Sequence, residues 1–174
     1  MSKRTGLDPY ALFEALESER FGYVVVGAFA RVVHGSAETT KGIDIVPSLR
    51  EESLRRLTRV LDDLDATAKG RPVRVEELAA AERLALETRA GGLTVVPVPW
   101  GTRGYDDLRI RANREDLGRR VRPPIASVVD LAHMLEASSR PEDLVRLQRL
   151  QRMLELERRL VRERRLSRGL RIER

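Results

Sequence analysis

Residues 34–46 read HGSAETTKGIDIV. Gly35 marks a turn, Ser36, Thr39 and Thr40 make a hydroxyl-rich approach, and Ile43–Val46 is a short apolar run closed by Pro47. A run this short between turn formers reads as a buried strand. Side chains alternate across a strand, so Gly42 and Asp44 share one face while Ile43 and Ile45 take the other. The strand therefore presents one acid, Asp44, two residues from a position that carries no side chain.

The flanking sequence extends the pattern. Asp8 and Pro9 suit the cap and first turn of an amphipathic helix over residues 8–17, with Tyr10, Leu12, Phe13 and Leu16 on one face. Tyr23 to Val26 is a second apolar strand ending at Gly27, and Ala28 to Val33 makes a short helix. Ser48 is expected to cap a helix over 49–64, with Leu54, Leu57, Val60, Leu61 and Leu64 at helical spacing. Residues 66–74 read as a loop and VEELAAAERL as a weak helix. LALET and LTVVPV around RAGG read as a hairpin. REDLGRRVRPPIA is an irregular strand pair or an edge strand, kept from the sheet centre by its prolines. Ser127 caps a helix to about residue 137, and Arg140-Pro141 opens a last helix to about residue 165. The pattern is a small α/β sheet followed by helices.

With 174 residues, one domain is the natural expectation. The absence of cysteine excludes disulfides, thiolate zinc sites and cysteine nucleophiles. No apolar run approaches the roughly 18 residues of a membrane span, and the N-terminus lacks the apolar core of a secretory signal, so a cytoplasmic protein without a membrane partner is expected. The whole chain carries a net charge of +6. Residues 158–174 hold eight arginines and two glutamates, which is also +6, so residues 1–157 are neutral. The division expected is a body over 1–157 and a basic tail over 158–174 that continues the last helix. Arg158, Arg159, Arg162, Arg164, Arg165 and Arg168 are candidates for a nucleic-acid backbone; a solvated helix end is the plainer alternative.

VVVGAFARVVHGSAETTKGIDIVP, residues 24–47, resembles the nucleotidyltransferase superfamily of the polymerase-beta type. It is most similar to the minimal bacterial members grouped with abortive-infection and type IV toxin–antitoxin toxins. Those pair a strand, a Gly-small turn and a short helix with a His-Gly turn and an Asp-apolar-Asp strand. ETRAGGLTVVPVPWGTRGYDDLRIRA and IASVVDLAHMLEASSRPEDL resemble the family's hairpin and helix pair, so the likeness spans about residues 8–155. It implies an α/β (α+β) fold: a small mixed sheet flanked by helices, with C-terminal helices.

The activity implied is transfer of a nucleoside monophosphate from an NTP to RNA, such as tRNA, or to protein. A cognate antitoxin or other partner protein and a homo-oligomer are further expectations. Transfer of this kind uses Mg2+ held by carboxylates, with two ions clamping the attacking and leaving oxygens. By the resemblance, Gly27 and Ala28 form the phosphate turn, and Ser36, Thr39, Thr40 and Lys41 lie near the nucleotide; the hydroxyls serve the loop equally well. Asp44 matches the second carboxylate of the strand. Gly42 stands at the first, Thr94 where a third is expected, and Leu135 where related chains carry lysine. Glu38 is a candidate substitute ligand. The departures imply a weakened or inactive site, with Mg2+ required if it is active and no cofactor otherwise. The alternative is a non-catalytic nucleotide- or RNA-binding or protein-interaction module.

Among the other polar residues, His34 is expected to organise its turn. With two histidines and no cysteine, zinc is not expected. Trp100 belongs to a loop and serves either packing or base stacking. Asp106 and Asp107 suit a helix start, and Arg140 and Asp143 a brace between the last two helices.

Overall fold

The computed structural model describes residues 6–169, with side chains through Ser167. The elements run α1 (Pro9–Ser18), β1 (Tyr23–Val26), α2 (Gly27–Val33), β2 (Gly42–Pro47), α3 (Glu51–Asp63), β3 (Thr67–Ala68), β4 (Arg71–Pro72), α4 (Val75–Ala80), β5 (Leu84–Thr88), β6 (Gly91–Val95), α5 (Tyr105–Leu108), β7 (Asn113–Arg114), β8 (Pro124–Ile125), α6 (Val128–Ser138) and α7 (Pro141–Gly169). The strands form one mixed sheet in the order β4-β3-β5-β6-β2-β1-β8-β7. β1 runs antiparallel to β2, and β2 runs parallel to β6.

The central strands are apolar because both faces are covered. Val24, Val25, Ile43, Ile45 and Val95 are fully buried. Ile43 and Ile45 belong to the core shared with Leu12, Phe13 and Leu16 of α1 and Leu57, Val60 and Leu61 of α3. Asp44, between the two isoleucines, turns to the other side, where α2, α6 and α7 close over the sheet.

Local chemistry sets the helix ends. The Asp8 carboxylate accepts from the Ala11 amide, with Pro9 in the first turn. The Ser127 hydroxyl accepts from the Asp130 amide and donates to the Asp130 carboxylate. Ser48 does not cap α3. Its amide donates to the Gly22 carbonyl at 2.8 Å, and the helix starts after Arg50 with Glu51 and Glu52 in its first turn. Acidic side chains there are stabilised by the positive end of the helix dipole.

Residues 66–74 are not a plain loop. β3 and β4 form a minimal hairpin whose turn residues, Lys69 and Gly70, both have positive φ, as a type I′ turn requires. Of the strand pair or edge strand expected over 114–126, the pair is present as β7 and β8, with β7 at the sheet edge and β8 joined to β1 through Val25 and Ile125. α7 passes residue 157 without a break, and every described side chain from Glu155 to Ser167 is exposed. No helix among the described residues is long and apolar enough to cross a membrane.

Candidate functional site

A cleft of about 610 Å3 opens where the ends of β1 and β2 meet α6 and the start of α7. Gly27, Ala28, Arg31, Asp44, Glu82, Arg83, Trp100, Leu131, Leu135, Arg140, Asp143 and Arg146 are among the residues that line it.

Asp44 sits at its base. The β2–β6 register places Asp44 opposite Thr94 and Gly42 opposite Gly92. Gly27 begins α2 directly over the acid. It has φ +73°, and a Cβ on it would run into the Asp44 carboxylate. The glycine therefore supplies both a left-handed backbone and the room Asp44 occupies. The Asp44 carboxylate is about one-fifth exposed and lies 3.5 Å from Nη2 of Arg83. Burial holds its pKa above the ordinary carboxylate value, partly offset by Arg83, the Thr94 hydrogen bond and Arg31.

Beside it lies a network of ionic side chains. Arg31, on α2, is buried, and donates from Nε and Nη2 to the two Glu38 oxygens at 2.8 and 3.0 Å. The Ser36 hydroxyl adds a third hydrogen bond at 2.8 Å. Arg31's hydrogen bonds keep the Glu38 pKa below its ordinary value despite partial burial. Arg146 lies between two acids, with Nη1 2.7 Å from Asp143 Oδ1 and Nε 3.6 Å from Glu38 Oε1. Burial raises the pKa of Asp143, but bonds from the Ser138 hydroxyl and Arg146 outweigh it and leave the pKa low. At the cleft mouth, the Arg140 guanidinium lies over the Trp100 ring, 4.6 Å from its centroid.

Of the residues singled out from sequence, Gly27, Ala28, Asp44, Trp100, Leu135, Arg140 and Asp143 meet in this cleft. Ser36, Glu38, Thr39, Thr40 and Lys41 do not line it. Ser36 is turned to Glu38, and the Thr40 hydroxyl donates to the Gly42 carbonyl at 2.6 Å. Glu38 is engaged by Arg31 rather than aimed at Asp44, because a buried guanidinium needs a carboxylate partner. His34 Nε2 lies 2.8 Å from the Ala126 carbonyl, which only accepts, so the ring donates there and ties the turn to β8. His133 is exposed. Leu135 presents a hydrocarbon wall.

Arg31, Glu82, Arg83 and Arg146 were missed. A visible signal for the first was an arginine inside the apolar segment AFARVV, which demands an acid nearby. The side chain of Arg168 and residues 170–174 lie outside the described residues. The other candidate arginines of α7, Arg158, Arg159, Arg162, Arg164 and Arg165, are exposed and distant in sequence from the cleft-lining part of the helix.

The residues present do not fit a pair of magnesium ions. Gly42 offers no ligand, Thr94 offers a neutral hydroxyl, and Asp44 is already in contact with a guanidinium. Among the described residues no group of three or more His, Asp or Glu side chains is placed to hold a metal ion.

The sheet order and the helices about it define a nucleotidyltransferase-like fold. No protein-family model and no curated protein matches the chain. A crystal structure described as a "putative nucleotidyltransferase" from Thermotoga maritima superposes on it with a TM-score of 0.52, over 88% of this chain and 90% of that one, at 15% identity. That similarity carries the fold.

Proposed function

We propose that the chain is a nucleotide-binding protein built on the nucleotidyltransferase fold, in which transfer chemistry is weakened or lost. The observation that carries this reading is the register at the cleft base: Asp44 opposite Thr94, Gly42 opposite Gly92, with Arg83 against Asp44. Transfer of a nucleoside monophosphate to RNA or protein, as the toxin-like resemblance implied, needs cations at the attacking and leaving oxygens. One half-buried carboxylate paired with arginine is a poor holder for them. The cleft keeps what binding needs: volume for a nucleotide, an apolar wall at Leu131 and Leu135, and guanidinium groups at Arg83 and Arg140.

The test uses radiolabelled NTPs with Mg2+, total RNA and candidate partner proteins. Reversible retention of nucleotide without covalent label on any acceptor supports the reading. Covalent label that disappears in Asp44→Ala contradicts it.

A second reading rests on α7. Its outer half exposes five arginines between residues 158 and 165. An exposed basic helix suits contact with the phosphate backbone of RNA.

A further inference from the structure

Among the described residues four arginines line the cleft, and their partners divide them. Arg31 is held by both oxygens of Glu38, and Arg146 by Asp143 and Glu38. These two are braces, and a ligand would have to break ion pairs to recruit them. Arg83 differs. Its side chain is 58% exposed, and its contact with Asp44, at 3.5 Å, is at the limit of a hydrogen bond. Arg140 has an aromatic face as its partner, and among the described residues its guanidinium makes no hydrogen bond or ion pair, so its N–H edge can donate. Asp44, in turn, has no cation nearer than Arg83 among the described residues.

We propose, on the reading of the cleft as a nucleotide site, that Arg83 takes the part a metal ion would play: it holds Asp44 when the cleft is empty and turns to the phosphate chain of a nucleotide when one binds, with Arg140 as a second donor. Arginine matches phosphate with paired N–H groups and carries its charge at any working pH. A guanidinium bound to the protein makes binding independent of a dissolved divalent cation. It also reverses the role of Asp44. At a metal site the acid recruits the cation that holds the phosphates, so its loss abolishes binding. Here the acid competes with phosphate for Arg83 and repels it, so its loss strengthens binding.

The experiment is calorimetric titration of ATP into wild type, Asp44→Ala, Asp44→Asn and Arg83→Ala, in Mg2+ and again in EDTA. Asn keeps the shape beneath Gly27, so the pair of Asp44 variants separates charge from packing. The expected result is several-fold tighter binding for both Asp44 variants, at least tenfold weaker binding for Arg83→Ala, and no dependence on Mg2+. Affinity unchanged in Arg83→Ala overturns the proposal. So does Mg2+-dependent binding that Asp44→Ala abolishes, and in both of these cases the cleft remains a nucleotide site. ATP binding by none of the four proteins overturns the proposal together with the reading beneath it.

Discussion

Gly42 and Gly92 face each other across β2 and β6 so closely that a Cβ at Gly42 would lie 2.7 Å from the Gly92 carbonyl oxygen. The obstacle is backbone, which cannot swing aside as a side-chain tip does. The packing of the two strands therefore leaves no room for a side chain at Gly42, and a carboxylate does not fit there by a single substitution.

Gly42→Asp is predicted to destabilise the protein without creating a metal site. Overpacking of this kind costs about 1–3 kcal/mol. Thermal unfolding with and without Mg2+ checks it: a melting point several degrees lower, with no recovery in Mg2+, is expected. A Mg2+-dependent rise in melting point in the variant alone would show that the strands separate readily.

Arg31 and Glu38 make the most deeply buried ion pair around the cleft, with side chains 8% and 12% exposed. Glu38→Ala removes the partner and leaves the guanidinium without compensation, a loss of about 3–5 kcal/mol. Denaturant titration measures it. Because the Glu38 pKa is lowered in the fold, its contribution is complete above the ordinary value of 4.5 and disappears as pH falls through the folded value. The difference between wild type and Glu38→Ala is predicted to shrink in acid.

Asp44 has the opposite sign. Its pKa is raised by burial, so its protonated form is the one the fold favours, and the stability it contributes declines as pH rises through the raised value. Asp44→Asn is predicted to gain stability relative to wild type on going from pH 4 to pH 7, read by melting points at both values. A gain that is larger at pH 4 would contradict the burial argument.

The outer half of α7 makes a prediction about salt. If its arginines meet RNA phosphates, the affinity for a short single-stranded RNA falls linearly with log salt, with a slope of about 0.7 per phosphate neutralised. Replacing Arg158, Arg159, Arg162 and Arg165 with glutamine is expected to flatten that slope. An unchanged slope would place RNA contact elsewhere.

The fold was legible because its determinants are local or nearly so. Asp8, Pro9 and Ser127 announce helix starts, and the apolar runs at 23–26 and 43–46 announce central strands. The correspondence of Asp44 with Thr94 was legible only through resemblance, since 50 residues separate them, and the β2–β6 register brings them together. The rest of the cleft was hidden for the same physical reason. Arg83 reaches Asp44 from the start of β5, and Arg146 reaches Glu38 from α7. Neither spacing follows a helical or strand period. Ser48 misled because its side-chain chemistry suits a cap while its backbone is held by Gly22. Lys69 misled because lysine is an unusual residue at positive φ.

The most direct test of the account is calorimetric titration of each of the four NTPs into the wild-type protein, once with Mg2+ and once with EDTA. Binding of at least one nucleotide with the same affinity, within about twofold, is expected in both conditions, as arginine-held phosphates require. Binding that appears only with Mg2+, or no binding of any nucleotide, would contradict it.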